Sequence, residues 1–191
     1  MPSRLPGPVR ERLDPIRLLV LDVDGVLTDG TLVYGLDGEA LKAFSVRDGL
    51  AIRLLLDAGF SVALVTGRCS EIVAARCRDL GIHDDLVIQG SRDKSADLDE
   101  LERRLGLSDR EVAIMGDDLP DVPMLERAGF AACPDDAAPE VVAVCHLVCG
   151  VGGGRGAVRE VAELLLKAQG RWQDQVGRWI GPGGGPKGYP R

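Results

Sequence analysis

The sequence predicts an α/β fold, a doubly wound parallel sheet with helices on both faces and one β-hairpin insertion. Three observations carry this. Short apolar runs of strand length alternate with segments whose apolar residues recur at helical spacing, the pattern of successive strand–helix–strand units. The runs at 18–21 and 61–65 are apolar almost throughout, as strands buried on both faces must be. Glycines close several of the helical segments.

Taken in order, the first strand is Leu18-Leu19-Val20-Leu21. A hairpin should follow, because residues 31–34 and 40–44 flank Gly35-Leu36-Asp37-Gly38, a favourable turn sequence. The stretch between Gly30 and Asp48 is too short for a separate lid, so no cap domain is expected and the sheet edge should stay open. Helices are expected over 48–58, 70–80, 94–105, 122–128 and 157–169, and further strands over 61–65, 86–88, 111–115, 130–133 and 146–148. Ser70 suits an N-cap, and Gly59, Gly81 and Gly106 stop the helices before them. Residues 15–169 thus read as one domain. Residues 1–14, rich in proline and charge, and 170–191, closing in Gly181-Pro182-Gly183-Gly184-Gly185-Pro186, read as flexible ends. Trp172 and Trp179 leave two readings of the tail open, a short helix seated on the domain or a sister subunit, and ornamental tail tryptophans.

Composition narrows the function. A chain of 191 residues with 45% apolar content can bury one full-sized core. A net charge of -7, aromatics at 4% and no basic stripe argue against nucleic acid as a partner. No apolar run reaches the roughly 18 to 20 residues needed to cross a bilayer, and the opening lacks a signal-peptide core. Cys69, Cys77, Cys133, Cys145 and Cys149 form an odd set without CxxC spacing, so reduced thiols and a cytoplasmic location are expected.

Chemistry concentrates where the strands end. Asp22-Val23-Asp24-Gly25 follows the first strand directly and puts two carboxylates on one turn, costly unless a cation or proton lies between them. One such carboxylate can act as a nucleophile while the other moves protons. The second strand ends in Thr66-Gly67-Arg68, whose hydroxyl and backbone N–H groups suit phosphate oxygens. Lys94 offers a compact positive charge to a transferring phosphoryl group. Gly116-Asp117-Asp118-Leu119-Pro120-Asp121 adds a second acidic cluster, and oxygen donors without histidine or thiolate favour Mg²⁺.

In this order the segments resemble the four motifs of the haloacid dehalogenase superfamily of phosphatases. Arg47-Asp48-Gly49, Thr66-Gly67-Arg68 and Gly153-Gly154-Arg155-Gly156-Ala157-Val158-Arg159-Glu160 further resemble its capless branch that dephosphorylates 3-deoxy-D-manno-octulosonate 8-phosphate. The resemblance runs from about Ile16 to Gln169. It implies a Rossmann-like core, lipopolysaccharide biosynthesis as the setting, and an aspartyl-phosphate mechanism: Asp22 as nucleophile, Asp24 as acid and then base, Thr66 and Lys94 on the phosphoryl group. It also implies Mg²⁺ on the Asp22 and Asp117 carboxylates and the Asp24 carbonyl, with Asp118 and Asp121 behind them, orienting metal-bound water or Lys94. The substrate-binding set becomes Arg47, Thr66, Gly67, Arg68 and Arg155. Arg155 stands as a clamp on the substrate carboxylate or as a surface arginine in a glycine loop. By the same resemblance the hairpins join subunits into a homotetramer, and the C-terminal segment reaches a neighbour's site.

Each element taken alone has a plainer reading: Asp22-Val23-Asp24-Gly25 a turn, Gly116-Asp117-Asp118 or Thr66 a cap, Lys94 a solvated helix residue. An EF-hand is excluded, since its sixth and twelfth positions hold Leu27 and Val33. The loosened dinucleotide fingerprint Gly152-x-Gly154-x-x-Ala157 has no strand and acidic residue after it. His83 and His146 are too far apart in sequence to argue for a local metal pair and read as loop or strand-start residues. The expectation is therefore a Mg²⁺-dependent phosphomonoesterase for an eight-carbon keto sugar acid phosphate. A nine-carbon 9-phosphate or another small phosphometabolite keeps the same chemistry, and a non-catalytic oligomeric scaffold is the reading from another class.

Overall fold

The computed structural model describes residues 7–180. The elements run α1 (Gly7–Leu13), β1 (Leu18–Leu21), β2 (Val33–Gly35), β3 (Gly38–Leu41), α2 (Val46–Asp57), β4 (Ser61–Thr66), α3 (Glu71–Leu80) and β5 (Val87–Gln89). They continue as α4 (Lys94–Leu105), β6 (Val112–Met115), α5 (Val122–Leu125), β7 (Phe130–Cys133), α6 (Pro139–Val144), β8 (Leu147–Val148), α7 (Ala157–Ala168) and α8 (Trp172–Ile180). Six strands form one sheet in the order β5-β4-β1-β6-β7-β8, every pair parallel, while β2 and β3 form a separate antiparallel hairpin.

The pleat explains why the central strands are apolar in their interiors. On β1, Leu19 and Leu21 face one core with α1, α2, α3 and α7, while Leu18 and Val20 face the other with α4, α5 and α6. Both faces exclude water, so neither strand register admits a polar residue until the chain leaves the sheet. The chain crosses from β1 to β4 on one side, whereas β6 and β7 lie on the other. The winding reverses between β1 and β6, and the crevice beyond their carboxyl ends is where open α/β sheets bind ligands.

Local chemistry sets the helix boundaries. Asp93 caps α4 by accepting from the Ser95 and Ala96 amides, both at 3.1 Å, and Ser45 caps α2 through the Asp48 amide at 3.3 Å. Gly81 and Gly106 close α3 and α4 in the left-handed region, at φ 77° and 65°. Ser70 does occupy the N-cap of α3, but its hydroxyl is donated to Glu39 instead of capping the helix.

Five features differ from the expectation. The hairpin is tighter, with Gly35 paired to Gly38 across a two-residue loop and β3 ending at Leu41, because glycine at the turn, at φ 113° for Gly38, lets the strands approach sooner. Helix α5 is short, ending at Leu125, and α6, begun by Pro139, was not foreseen. Part of the opening expected to be flexible is helical: α1 inserts Leu13, which is fully buried, and Ile16 follows it into the core. The tail likewise contains α8, so of its two readings the structure has the seated helix. Trp172 packs 5.2 Å from the Arg159 guanidinium and 5.1 Å from the Lys167 ammonium, and Arg171 and Arg178 donate to the Ala58 and Asp57 carbonyls. Apolar and cation-holding side chains offset a composition that looked unable to order itself. Residues 1–6 and the glycine-rich 181–191 lie outside the described residues.

Candidate active site

Strand β1 delivers Asp22 to the reversal point: its amide continues the sheet by donating to the Met115 carbonyl at 3.0 Å, and the chain then turns away. Gly25 makes that turn possible. Its φ is 102°, and a Cβ placed there would lie 2.0 Å from the Asp117 carboxylate, so only glycine lets the two carboxylate loops meet. Thr28, buried beneath the turn, accepts from the Gly25 and Gly30 amides at 3.4 and 3.2 Å. Gly153 and Gly154 press from below, and a Cβ on Gly153 would stand 1.8 Å from the Gly25 carbonyl oxygen.

Three carboxylates converge. Asp22, Asp117 and Asp121 each place an oxygen within 4.8 Å of the others. Lys94, the first residue of α4, reaches in with its ammonium 2.7 Å from Asp22 Oδ1 and 2.5 Å from Asp121 Oδ1. Asp121 uses its other oxygen to accept from the Asp117 and Asp118 amides at 2.9 and 3.3 Å, so it aligns both the lysine and the acidic loop. Asp118 is exposed, and its carboxylate accepts from the Leu119 amide at 2.8 Å.

Electrostatics here favours a cation. Burial, then the charges of Asp22, Asp121 and Asp118, push the Asp117 carboxyl up to about 8. Burial and Asp121 raise Asp22 to about 6, against the pull of Lys94. Burial alone would lower the Lys94 ammonium, but Asp22 and Asp121 outweigh it and hold its pKa above the ordinary value. Asp117 Oδ1 is buried without a hydrogen-bond partner. An all-oxygen donor set with an orphaned buried carboxylate oxygen fits Mg²⁺.

The second carboxylate of the first motif stands apart from this cluster. Asp24 bonds to Lys42 through Oδ1, and its Oδ2 lies 4.0 Å from Arg68 Nε. Arg68 also donates to the Tyr34 hydroxyl at 2.8 Å, and its Nε lies 3.9 Å from Glu39. Thr66 closes β4, buried, its hydroxyl accepting from the Arg68 amide at 3.4 Å. Gly67 has room for a side chain, with the nearest atom, the Ser91 carbonyl oxygen, 3.6 Å from a built Cβ.

The other two candidate arginines stand at the glycine loop that leads into α7. Arg47 is exposed with its guanidinium against Gly156, where a Cβ would meet it at 3.5 Å, and Arg155 is exposed and interacts electrostatically with Asp29. Between them Asp48, fully buried, accepts from the Gly156 amide at 3.1 Å and the Arg159 amide at 2.8 Å, tying α2 to the start of α7. His146 accepts from the Ala131 amide and stacks on Phe130 at 5.9 Å, at the sheet edge opposite Asp22, and His83 accepts from the Asp85 amide. Sequence reasoning missed Lys42, Glu39, Tyr34 and Asp48. The first three sit on or beside a hairpin, where alternating polar residues read as solvent-facing.

Known proteins are similar to this chain in sequence and in fold. A haloacid dehalogenase-like hydrolase model matches residues 83–152. The 3-deoxy-D-manno-octulosonate 8-phosphate phosphatase of Shigella flexneri is 44% identical over 172 residues, 90% of this chain and 90% of that protein. The crystal structure of the same-named phosphatase from Yersinia pestis superposes with a TM-score of 0.84 at 42% identity, covering 87% of this chain and 89% of that one. The Moraxella catarrhalis enzyme, solved in complex with magnesium ion, phosphate ion and a KDO molecule, has a TM-score of 0.85 at 38% identity over 88% of this chain and 96% of its own.

Proposed function

The chain belongs to the haloacid dehalogenase-like hydrolases, among the 3-deoxy-D-manno-octulosonate 8-phosphate phosphatases, and on that premise we propose that it hydrolyses this sugar phosphate to the free sugar acid and inorganic phosphate. It is a phosphomonoesterase with Mg²⁺ as cofactor. The observation that carries the reading is the meeting of Asp22, Lys94, Asp117 and Asp121 at the winding reversal of the sheet, with one Asp117 oxygen unpartnered.

In the reaction we infer, an Asp22 oxygen attacks phosphorus, the ester bond to the sugar breaks, and Asp24 hands its proton to the departing sugar oxygen. Asp24 then takes a proton from water as that water attacks the aspartyl-phosphate, and phosphate leaves as the bond to Asp22 breaks. Lys94 and the Thr66 hydroxyl meet phosphoryl oxygens, and positioning with charge neutralisation supplies most of the acceleration. Mg²⁺ on the Asp22 and Asp117 carboxylates and the Asp24 carbonyl would neutralise phosphoryl charge. Asp121 holds Lys94 and the acidic loop in place, and Asp118 shapes the turn. Arg68, beside Asp24, is the arginine best supported as a substrate contact, with the Gly67 amide next to it and Arg47 and Arg155 as further candidates from the loop before α7.

The reading extends to a homotetramer. Leu36, Tyr34 and Leu41 leave a largely apolar hairpin surface in water, with Leu36 fully exposed, which supports burial against further copies of the chain. Among the described residues no helix is long and apolar enough to cross a membrane. The five free cysteines support a reducing compartment, the cytoplasm.

The deciding experiment measures phosphate release from a panel of phosphorylated sugar acids with and without Mg²⁺, alongside light scattering. Preference for the eight-carbon 8-phosphate supports the proposal; a nine-carbon 9-phosphate turned over faster reassigns the substrate, and no turnover on any ester favours a scaffold.

A further inference from the structure

We propose that Lys42 is the positioning residue for the proton-transferring carboxylate: it pins one oxygen of Asp24 and leaves the other to carry the proton. The inference rests on the reading of Asp24 as acid and base given above.

Lys42 follows strand β3 on a small surface hairpin, a place where lysine ordinarily extends its ammonium into water. Here the side chain has no exposed surface, and its ammonium is hydrogen-bonded to Asp24 Oδ1 and forms an ion pair with Glu39 Oε1 at 2.9 Å. A buried ammonium is strongly destabilising unless paired, and two carboxylates meet that demand.

Glu39 is itself anchored. The Ser70 hydroxyl donates to it, and the Ser70 amide donates to Gln89 at 2.7 Å, so the far end of the clamp is tied to the start of α3 and the end of β5. Lys42 therefore joins the motif-one turn to the sheet edge through a chain of held groups rather than through a mobile side chain.

The clamp is asymmetric. Asp24 Oδ1 is occupied by Lys42, whereas Oδ2 is buried without a hydrogen-bond partner, as is Arg68 Nε at 4.0 Å from it. A carboxylate free to rotate would present either oxygen; one pinned at Oδ1 presents Oδ2. That geometry suits a group that must meet the leaving oxygen in one step and a water in the next.

Rapid mixing of the full chain with Mg²⁺ and p-nitrophenyl phosphate tests this, because p-nitrophenolate leaves without a proton while breakdown of the phosphoenzyme needs Asp24. For Lys42→Met, the initial burst of p-nitrophenolate should stay within about threefold of wild type. Steady turnover should fall about 100-fold with phosphorylated Asp22 accumulating, the pattern shared with Asp24→Asn. Turnover of the sugar phosphate should fall at least as far with no burst, and Lys42→Arg should restore part of the loss. Glu39→Gln, a second variant should Lys42→Met unfold, should slow the same step less. Equal loss in burst and steady phases, a raised KM with unchanged kcat, or no effect would overturn the proposal. A wild-type chain that turns over but forms no phosphoenzyme, or that does not turn over at all, would instead overturn the reading beneath it.

Discussion

Lys94 Nζ stands 2.7 Å from Asp22 Oδ1, with both side chains more than nine-tenths buried, so this carboxylate is held by a charge arriving from 72 residues away in sequence. The attack on phosphorus is inferred to come from this carboxylate. Asp22→Asn should cut phosphatase turnover by on the order of 10⁴-fold or more, with the circular dichroism spectrum near wild type and a smaller loss of stability than Lys94→Met, because Lys94 keeps Asp121. Substantial residual turnover would remove Asp22 from the nucleophile's role.

The same pair predicts stability. Removing one partner of a buried ion pair strands the other, so Lys94→Met should cost about 3–5 kcal/mol in denaturant unfolding of the metal-free protein. Added Mg²⁺ should recover part of that loss, since a cation then compensates Asp22 and Asp121. A change of stability smaller than about 1 kcal/mol would show that the pair is solvated in practice.

The acidic cluster predicts a pH dependence. In the metal-free chain Asp22 is raised from 3.8 to about 6 and Asp117 from 3.8 to about 8. The native state then keeps protons that the unfolded chain has released, so the stability these groups contribute is fully present below 3.8 and is lost as the pH rises through about 6 and about 8. Metal binding takes the deprotonated carboxylates and releases those protons. The rise in thermal midpoint on replacing chelator with Mg²⁺ should therefore be larger at about pH 8.5 than at about pH 5.5. Equal shifts at the two values would contradict it.

Asp48 joins the two halves of the rim by accepting from the Gly156 and Arg159 amides at the start of α7. Asp48→Ala removes an N-terminal acceptor and should destabilise by about 1–2 kcal/mol. Loosening the 152–156 loop should also raise KM for the sugar acid phosphate more than for p-nitrophenyl phosphate. If both KM values move together, the loop does not contribute to sugar binding.

Gly25 admits no side chain, since φ of 102° and a contact of 2.0 Å with Asp117 oppose it. Gly25→Ala should reduce turnover by more than about tenfold by moving the Asp22 and Asp117 loops apart, a misplacement of the kind that costs catalysis far more than stability. Gly67→Ala, whose built Cβ finds its nearest atom at 3.6 Å, is the control and should leave the fold's stability within about 0.5 kcal/mol.

Much of this protein was legible in the chain itself. Period and apolar continuity revealed the strands and major helices because a sheet covered on both faces tolerates no polar residue inside it. Asp22, Thr66 and Asp117 were legible for the converse reason, polar groups placed where buried strands end, and Lys94 by its place in the order of motifs. Tertiary structure alone decided the rest. Asp24 and Lys42 pair across 18 residues and Asp48 meets Arg159 across 111, and such contacts depend on how the hairpin folds back and where α7 docks. Local pattern records which face of an element is apolar, but the partner of a polar side chain is set by whatever distant group packing brings within reach, and no periodicity encodes that.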